Sequence, residues 1–491
     1  MIEQEAKKKD GIPGIVDTGD HVHLLSKGMI KLYGVWSVAL LATFMAGYGV
    51  GSLTAINAMD RFQDYFNFGS GGLVFSMWPI AACGTFWLGP IFADKFGRRG
   101  GMLISSLMFI LGTCLVAFAR SYGMLLGGRF VLGTAVGWMQ PAAPPYVAEL
   151  APPLNRGLLG VLGNATATVV GILTHEIDSE WTWRLPLVLQ LVCPTIMAST
   201  VMLLPESPRW LYANGRAEQA RAVLAKYHGN GNYTRLVAKE IDQIATSLEV
   251  APKKMWEYST LANTKAKRYR LGLALLIGGG GQLVGNCLMI YAPSLYRQVG
   301  MTSVRQQLIM TLIPTLIGLV SAVIGTWCSD RLGRRPMLVW GTFMCAIFLS
   351  LTMACSAVSL KGATTTVVDD YNGAASKGTM AFLILFYVAF CWTYIPLFST
   401  YAPEVLGMEQ RSTGLGLMVL CLNASSVLAQ LTTPIAQSAI YFLVAVETKG
   451  RTLEELDEIF NSPSPVKASL KYAHGGGEGT RIVREGGAEK S

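Results

Sequence analysis

The stretch Asp94-Lys-Phe-Gly-Arg-Arg99 recurs as Asp330-Arg-Leu-Gly-Arg-Arg335, and each copy sits between two long apolar runs. Two further motifs repeat in the same order. Glu149-Leu-Ala-Pro-Pro-Leu-Asn-Arg156-Gly returns as Glu404-Val-Leu-Gly-Met-Glu-Gln-Arg411-Ser-Thr-Gly, and Pro205-Glu206-Ser-Pro-Arg-Trp-Leu is echoed by Val446-Glu447-Thr-Lys-Gly-Arg-Thr-Leu. A single match would be weak, but three in the same order describe a chain built from two related halves. Repeated membrane halves are a mark of secondary transporters, whose substrate is held between the halves near the bilayer midplane.

The composition agrees with that reading. Of the 491 residues, 51% are apolar or aromatic and only 14% are charged, whereas a soluble domain carries about a quarter charged. These values exclude a disordered chain, a coiled coil and a disulfide scaffold, and point to an all-α polytopic membrane protein. Spans of roughly 20 apolar residues are expected at 29–54, 72–92, 101–119, 123–147, 158–177 and 184–204. A second set is expected at 271–291, 306–328, 336–357, 379–400 and 412–433. The chain thus divides into an N-terminal segment 1–28, a first bundle 29–204, a polar linker 205–270, a second bundle 271–446 and a polar tail 447–491. The end of the tail, GGGEGTRIVREGGAEKS, reads as disordered.

The net charge of +9 sorts by loop. One set of loops holds Lys95, Arg98, Arg99, Arg156, the basic run from Arg209 to Arg270, Arg331, Arg334, Arg335 and Arg411. The opposite set holds only Arg61, Arg120, Arg297, Arg305, Lys361 and Lys377. By the positive-inside rule the N-terminus and the 205–270 loop are cytoplasmic. The surplus therefore reports topology, and no nucleic-acid partner is expected. The polar start, Met1 to Ser26, holds no cleavable signal peptide. The nine cysteines, mostly single within apolar runs, read as packing residues. Neither they nor His21, His23, His175 and His228 have metal-ligand spacing. No nucleophile–base pair or phosphate loop occurs, so neither an enzyme nor a cofactor is expected.

The repeated motifs have a physical sense of their own. Glu149 and Arg156, with their counterparts Glu404 and Arg411, can join Asp94, Arg98, Arg99, Asp330, Arg334 and Arg335 in an ionic latch. Such a latch would hold the inner ends of the two bundles together until its charge-assisted contacts break. The plainer alternative is that the arginines only anchor helix ends. In the seventh span Gln282 and Asn286 stand four residues apart on one helical face. Two carboxamides in an apolar span are costly unless they face a cavity or bond to another helix. Trp392, near an expected kink at Pro396, either walls a cavity or is structural.

These motifs, with GSLTAINAMDRFQDYFNFG (51–69) and QLVGNCLMIY (282–291), resemble the sugar porter family of the major facilitator superfamily. The likeness runs from about Tyr33 to Phe460 and is nearest to fungal hexose and lactose-permease-like members. It implies a major facilitator fold of two six-helix bundles, with a sugar bound between them by alternating access. It also implies sugar contacts at Gln282 and Asn286, with Tyr291 and Asn423 at cavity positions. Several positions depart from the pattern. The paired glutamine is Gly281-Gln282, the fifth-helix glutamine falls on Ala165 with Asn164 adjacent, and the tenth-helix tryptophan is Ser399.

Coupling is read at the first and fourth spans. Proton-coupled members of the family carry a helix 1 aspartate where this chain reads Gly47-Tyr48-Gly49-Val50-Gly51, while the partner arginine is kept as Arg129. Facilitated diffusion of a hexose or small oligosaccharide is therefore expected, in a multi-pass protein of the plasma membrane. The alternatives are a proton-coupled symporter, with Glu176 and Asp178 as remaining proton sites, and a non-transporting sugar sensor.

The repeat also exposes a shortfall. From Glu149 to Glu206 is 57 residues, but from Glu404 to Glu447 only 43. After the eleventh span only Pro434 to Val446 remain, which rise about 20 Å as a helix against a core of about 30 Å. The last helix is expected to be truncated. A helix fused to the eleventh, a re-entrant segment and a mis-joined gene model are the alternatives, and the intact VETKGRTLEEL (446–456) favours the last.

Overall fold

A computed structural model describes residues 27–66, 72–150, 156–250, 263–298, 300–301, 303–362, 373–406 and 411–444. The helices of the first half are α1 (Lys27–Asn57), α2 (Asp60–Phe66), α3 (Gly72–Thr85), α4 (Leu88–Lys95), α5 (Gly97–Ala117), α6 (Tyr122–Met139), α7 (Ala143–Leu150), α8 (Arg156–Thr174), α9 (Trp181–Leu189) and α10 (Val192–Thr200). Three short helices follow: α11 (Pro208–Ala213), α12 (Ala217–Tyr227) and α13 (Arg235–Val250). The second half holds α14 (Lys265–Leu283), α15 (Ala292–Gln298), α16 (Val304–Leu332), α17 (Arg334–Gly362), α18 (Gly373–Val405) and α19 (Arg411–Val444).

All eleven expected spans are helical. Among the described residues eight helices are long and apolar enough to cross a bilayer, and α3 with α4 form a ninth span bent by 57°. The other two expected spans are α6, whose hydropathy Arg129 and glycine dilute, and α8, whose apolar part is Gly160–Thr174. The protein is embedded in the membrane, and the surface of α17 explains why it must be. Val339, Trp340 and Phe343 are each more than half exposed, an arrangement that water would penalise and lipid tails accept.

Small residues on α1 and α8 let these helices pack closely in the first bundle, and α16 and α17 pack on α18 in the second. The halves meet along two seams, α3 against α19 and α8 against α16. Each half has its own core. Met102, Phe109, Leu132 and Trp183 belong to the first, and Tyr296, Cys345, Phe386 and Cys391 to the second.

The repeat of the sequence is a repeat of backbone. Gly97 and Gly333, the glycines of the two GRR motifs, have φ of 81° and 87°. A side chain is disfavoured in that left-handed region, so each glycine makes the sharp turn that joins consecutive spans.

Two expectations change. The 205–270 stretch is more than a linker, because α11 to α13 close over their own apolar cluster of Leu211, Ala220, Leu224, Val237 and Ile241. In place of an eleventh span and a separate stub, α19 runs unbroken for 34 residues, about 51 Å at the standard rise. The stub is fused to the eleventh helix rather than re-entrant. The 447–491 tail and the 1–26 start lie outside the described residues.

Candidate functional site

The seventh span breaks where its amides lie. α14 ends at Leu283, Gly285 adopts φ of 124°, and a short 3-10 turn runs from Asn286 to Met289. Gln282 and Asn286 thus do not share one continuous helix, yet the break keeps them together. Asn286 Nδ2 donates to Gln282 Oε1 at 3.2 Å. A carboxamide has two donor hydrogens and a two-lone-pair acceptor, so this one bond leaves most of the pair's capacity for a hydroxyl-rich ligand.

Gly281 lies against the rings of Tyr394 and Phe398 on α18. These belong to an aromatic ladder, Tyr387, Phe390, Tyr394 and Phe398, with successive centroids 6.5, 5.1 and 5.9 Å apart. Tyr394 and Phe398 thus pack on the turn of α14 that carries Gln282. Trp392 presents its backbone to Gly325 of α16, and α18 runs unbroken through Pro396. Tyr291 is buried on the same broken span and donates from its hydroxyl to the Gln430 carbonyl at 3.0 Å. Its ring meets Phe75 of α3 edge-on at 5.0 Å, across the seam between the halves. Asn423 donates to Val419 O of its own helix at 2.9 Å. Asn164 packs on Gly51, with its buried Oδ1 unpartnered among the described residues. None of Asn423, Asn164 and Trp392 has a hydrogen bond to the amide pair among the described residues.

Two further buried amides escaped the sequence reading. Gln430 Nε2 donates to Ser426 Oγ at 3.0 Å, and Gln190, at the break between α9 and α10, accepts from Ser52 Oγ at 3.3 Å. Each keeps one buried polar atom without a hydrogen bond among the described residues. An amide inside an apolar span was the signal available for both.

At the GRR end the charges pair within each half. Arg98 meets Asp94 at 3.4 Å and Glu149 at 3.9 Å, and Arg99 Nε meets Glu206 at 3.4 Å. In the second half Arg334 grips Glu404 with a two-pronged contact at 3.1 and 3.0 Å. Arg335 is exposed, and the side chains of Arg156, Asp330 and Arg411 lie outside the described set. Glu206, which the sequence offered only as part of a repeat, is central. It also accepts from the Arg98 and Arg99 backbone N–H groups, and a side chain at Gly97 would strike it. Among the described residues no ion pair at this end joins the two halves. A cavity of about 440 Å³ opens beside this cluster, lined by Lys95, Arg99, Trp210 and Arg216 among others, well apart from the amide pair in sequence and on different helices.

The ion pairs that do cross between halves lie at the opposite end. Arg297 Nη2 meets Asp60 at 2.8 Å and the Ala58 carbonyl at 2.5 Å, and its Nη1 donates to Gln63 at 3.0 Å. Arg305 meets Glu176 at 3.8 Å. Beneath them Ala55, Ala58 and Leu308 form a buried apolar cluster across the seam. Exposed ion pairs contribute about 0–1 kcal/mol each, so the apolar cluster and the several bonds of Arg297 carry this closure.

Arg129 is buried in the first bundle at 3% exposure, its guanidinium 5.0 Å from the centre of the Trp78 ring. Shielded from water, a cation over an indole face contributes up to about 2 kcal/mol.

The comparisons with known proteins fit this geometry. The structure aligns with the major facilitator superfamily proton:xylose symporter XylE, with TM-score 0.66, 21% identity, and 84% of this chain and 90% of that one covered. It also aligns with a partially occluded inward-open form of XylE from E. coli, with TM-score 0.65 and 20% identity, covering 82% and 92%. Residues 35–460 match the family described as "Sugar (and other) transporter". The chain belongs to that family, and so to the transporters rather than the enzymes. Its relatives include a high-affinity glucose transporter of Kluyveromyces lactis, 26% identical with 90% of this chain and 87% of the relative covered. Another is the probable metabolite transport protein CsbC of Bacillus subtilis, also 26% identical, covering 87% and 94%.

Proposed function

We propose that this protein moves a hexose or other small sugar across the plasma membrane by facilitated diffusion, with the GRR end and the N-terminus cytoplasmic. The family and the K. lactis glucose carrier support a sugar as cargo. The pair Gln282–Asn286, beside the Tyr394 and Phe398 rings, is the proposed sugar contact, since hydroxyl-rich ligands need amide partners and an apolar wall. Tyr291, Asn423, Asn164 and Trp392 remain proposed as outer contributors to the same cavity.

One observation carries the choice of diffusion over symport. No Asp or Glu occurs in α1, α3, α5, α6, α8, α9, α10, α14, α17 or α19. In the remaining span helices such residues occur only at the GRR end, as Asp94, Asp330 and Glu404. A proton symporter needs a titrating group whose proton affinity changes between its two states. Glu176 and Asp178 fit poorly, with side chains 73% and 96% exposed and arginines as partners.

The alternating cycle follows from the two ends. With Arg297, Arg305 and the apolar cluster closing the outer side, and the inner charges among the described residues paired only within halves, the arrangement corresponds to a carrier open to the cytoplasm. In the outward state the motif residues Asp94, Arg98, Arg99, Glu149, Arg156, Asp330, Arg334, Arg335, Glu404 and Arg411 are proposed to latch across the inner side. Uptake of labelled hexoses, pentoses and disaccharides by a transporter-null host, at several pH values, tests this reading. Sugar entry insensitive to a protonophore supports it, and sugar-induced alkalinisation of an unbuffered medium overturns the diffusion half of it.

A further inference from the structure

Arg129 raises a problem that the facilitator reading leaves open. A guanidinium stays protonated in proteins, and an isolated buried charge is strongly disfavoured unless something compensates it. α6 packs on α3, α5 and α4. α3 and α5 carry no Asp or Glu, nor does α1, and the one acid of α4, Asp94, pairs with Arg98 at the GRR end. The Arg129 Nε is buried without a hydrogen bond among the described residues. What faces the cation is the indole of Trp78, itself 9% exposed.

The same ring fills the space beside α1. A Cβ built on Gly49 would come within 2.8 Å of Trp78 Cη2 and 3.2 Å of Gln190 Nε2, and real side chains do not approach so closely. Any side chain at position 49, a carboxylate included, would have to displace the indole. From these two contacts we infer that Trp78 is a positioning residue, whose π face stands in for an acidic counter-group to Arg129 and excludes one from the space beside Gly49. The pair Trp78–Arg129 is a charge-stabilising contact with no group that titrates in the physiological range. The cycle can thus proceed without taking up or releasing a proton there. Besides Arg98 and Arg99 of α5, the protonatable and charged groups on the helices packed against α6 are Cys83 of α3, Cys114 of α5, and Asp94 and Lys95 of α4. Asp94, the one carboxylate among them, pairs with Arg98 at the GRR end.

This inference rests on the facilitator reading, and its test separates the two. Sugar uptake and pH change are measured together in a transporter-null host, with surface expression followed by an epitope tag, for wild type, W78L, W78F, R129Q, W78L/R129Q and G49D/W78A. Wild-type uptake without proton movement is expected. W78L keeps an apolar side chain but removes the π face and should lower uptake at least fivefold, while W78F, which is also smaller than tryptophan but keeps an aromatic face, recovers most of that loss. W78L/R129Q should be no worse than R129Q, because the ring then has no cation to hold. G49D/W78A, which supplies a carboxylate and the room for it, should make uptake rise as the medium is acidified. Proton entry with sugar in the wild type overturns the facilitator reading itself. An uncoupled wild type in which W78L matches wild type, or in which W78L and R129Q lower uptake by independent factors, overturns the role of Trp78 alone. If W78L does not reach the surface, the comparison of surface levels for W78L and W78L/R129Q decides the same point. Rescue of delivery by R129Q supports a cation–ring pair, and equal failure of both contradicts it.

Discussion

Removing either amide of the Gln282–Asn286 pair tests the proposed sugar contact at its smallest scale. Each carboxamide bond to a neutral ligand is worth about 1 kcal/mol, and 1.4 kcal/mol is tenfold in affinity. Q282A and N286A are therefore expected to lower uptake about fivefold to tenfold through a raised KM, with surface expression kept. Wild-type rates in both would remove them from the site. These two residues were legible because polar amides stand out in an apolar run. Tyr394 and Phe398 were not, since an aromatic residue in a span looks like core until its neighbours are known. Trp78 was missed for the same reason. Its meaning depends on Arg129, far along the chain, and on the missing side chain at Gly49. Arg297 was counted only as one of the few basic residues on its side, because Asp60 and Gln63 lie in the other half of the sequence.

At the scale of elements, nine of the eleven expected spans are, among the described residues, helices long and apolar enough to cross a bilayer, α6 and α8 fall short of that, and breaks within spans were legible only in part. The bend of 57° between α3 and α4 falls at Phe86–Trp87, where Pro90 has no N–H to bond the Phe86 carbonyl four residues before it, a signal the reading of 72–92 as one span passed over. The helical unit α11–α13 read as a linker because its apolar residues are thinly spaced and satisfy one another only after folding. This unit docks on the first bundle through Trp210 Nε1, which donates to Asp94 O at 2.8 Å, and through His228. The two ring nitrogens of His228 face Glu240 at 2.8 Å and the Leu150 carbonyl at 3.2 Å, both acceptors. That geometry requires the doubly protonated ring. Burial opposes the charge, but the hydrogen bond and charge of Glu240 and the Leu150 carbonyl outweigh it and raise the His228 pKa above 6.5. The folded form thus binds the proton more tightly than the unfolded one. The stabilisation is full below pH 6.5 and is lost as pH rises through the raised value. Hydrogen-exchange protection of α12 and α13 should fall over that window in the wild type and stay flat in H228Q. An identical pH profile in both would exclude the clamp.

The whole molecule is two homologous bundles joined, among the described residues, by ion pairs at one end. The duplication was readable from three motifs, but the ion pairs between the halves were not, since the repeated charges all lie at the other end, where the described ones pair within halves. Because the closure at the end with the ion pairs between halves stands on Arg297 and a small apolar cluster, R297A should open that end, which in the proposed topology is a shift toward the outward-open state. A loss of about 1.4 kcal/mol corresponds to a tenfold shift. The reaction of L308C with a membrane-impermeant maleimide should then be several-fold faster in the R297A background, and an unchanged rate would assign the closure to other contacts. Leu308 is fully buried in the present arrangement.

Facilitated diffusion without proton movement is the central claim, and purified protein in liposomes tests it most directly. Glucose counterflow is followed together with an entrapped pH dye, at equal pH on both sides. Labelled glucose, or another hexose or pentose in the panel, should exchange to equilibrium while the internal pH stays constant. Internal acidification that tracks the entry of sugar would contradict the account.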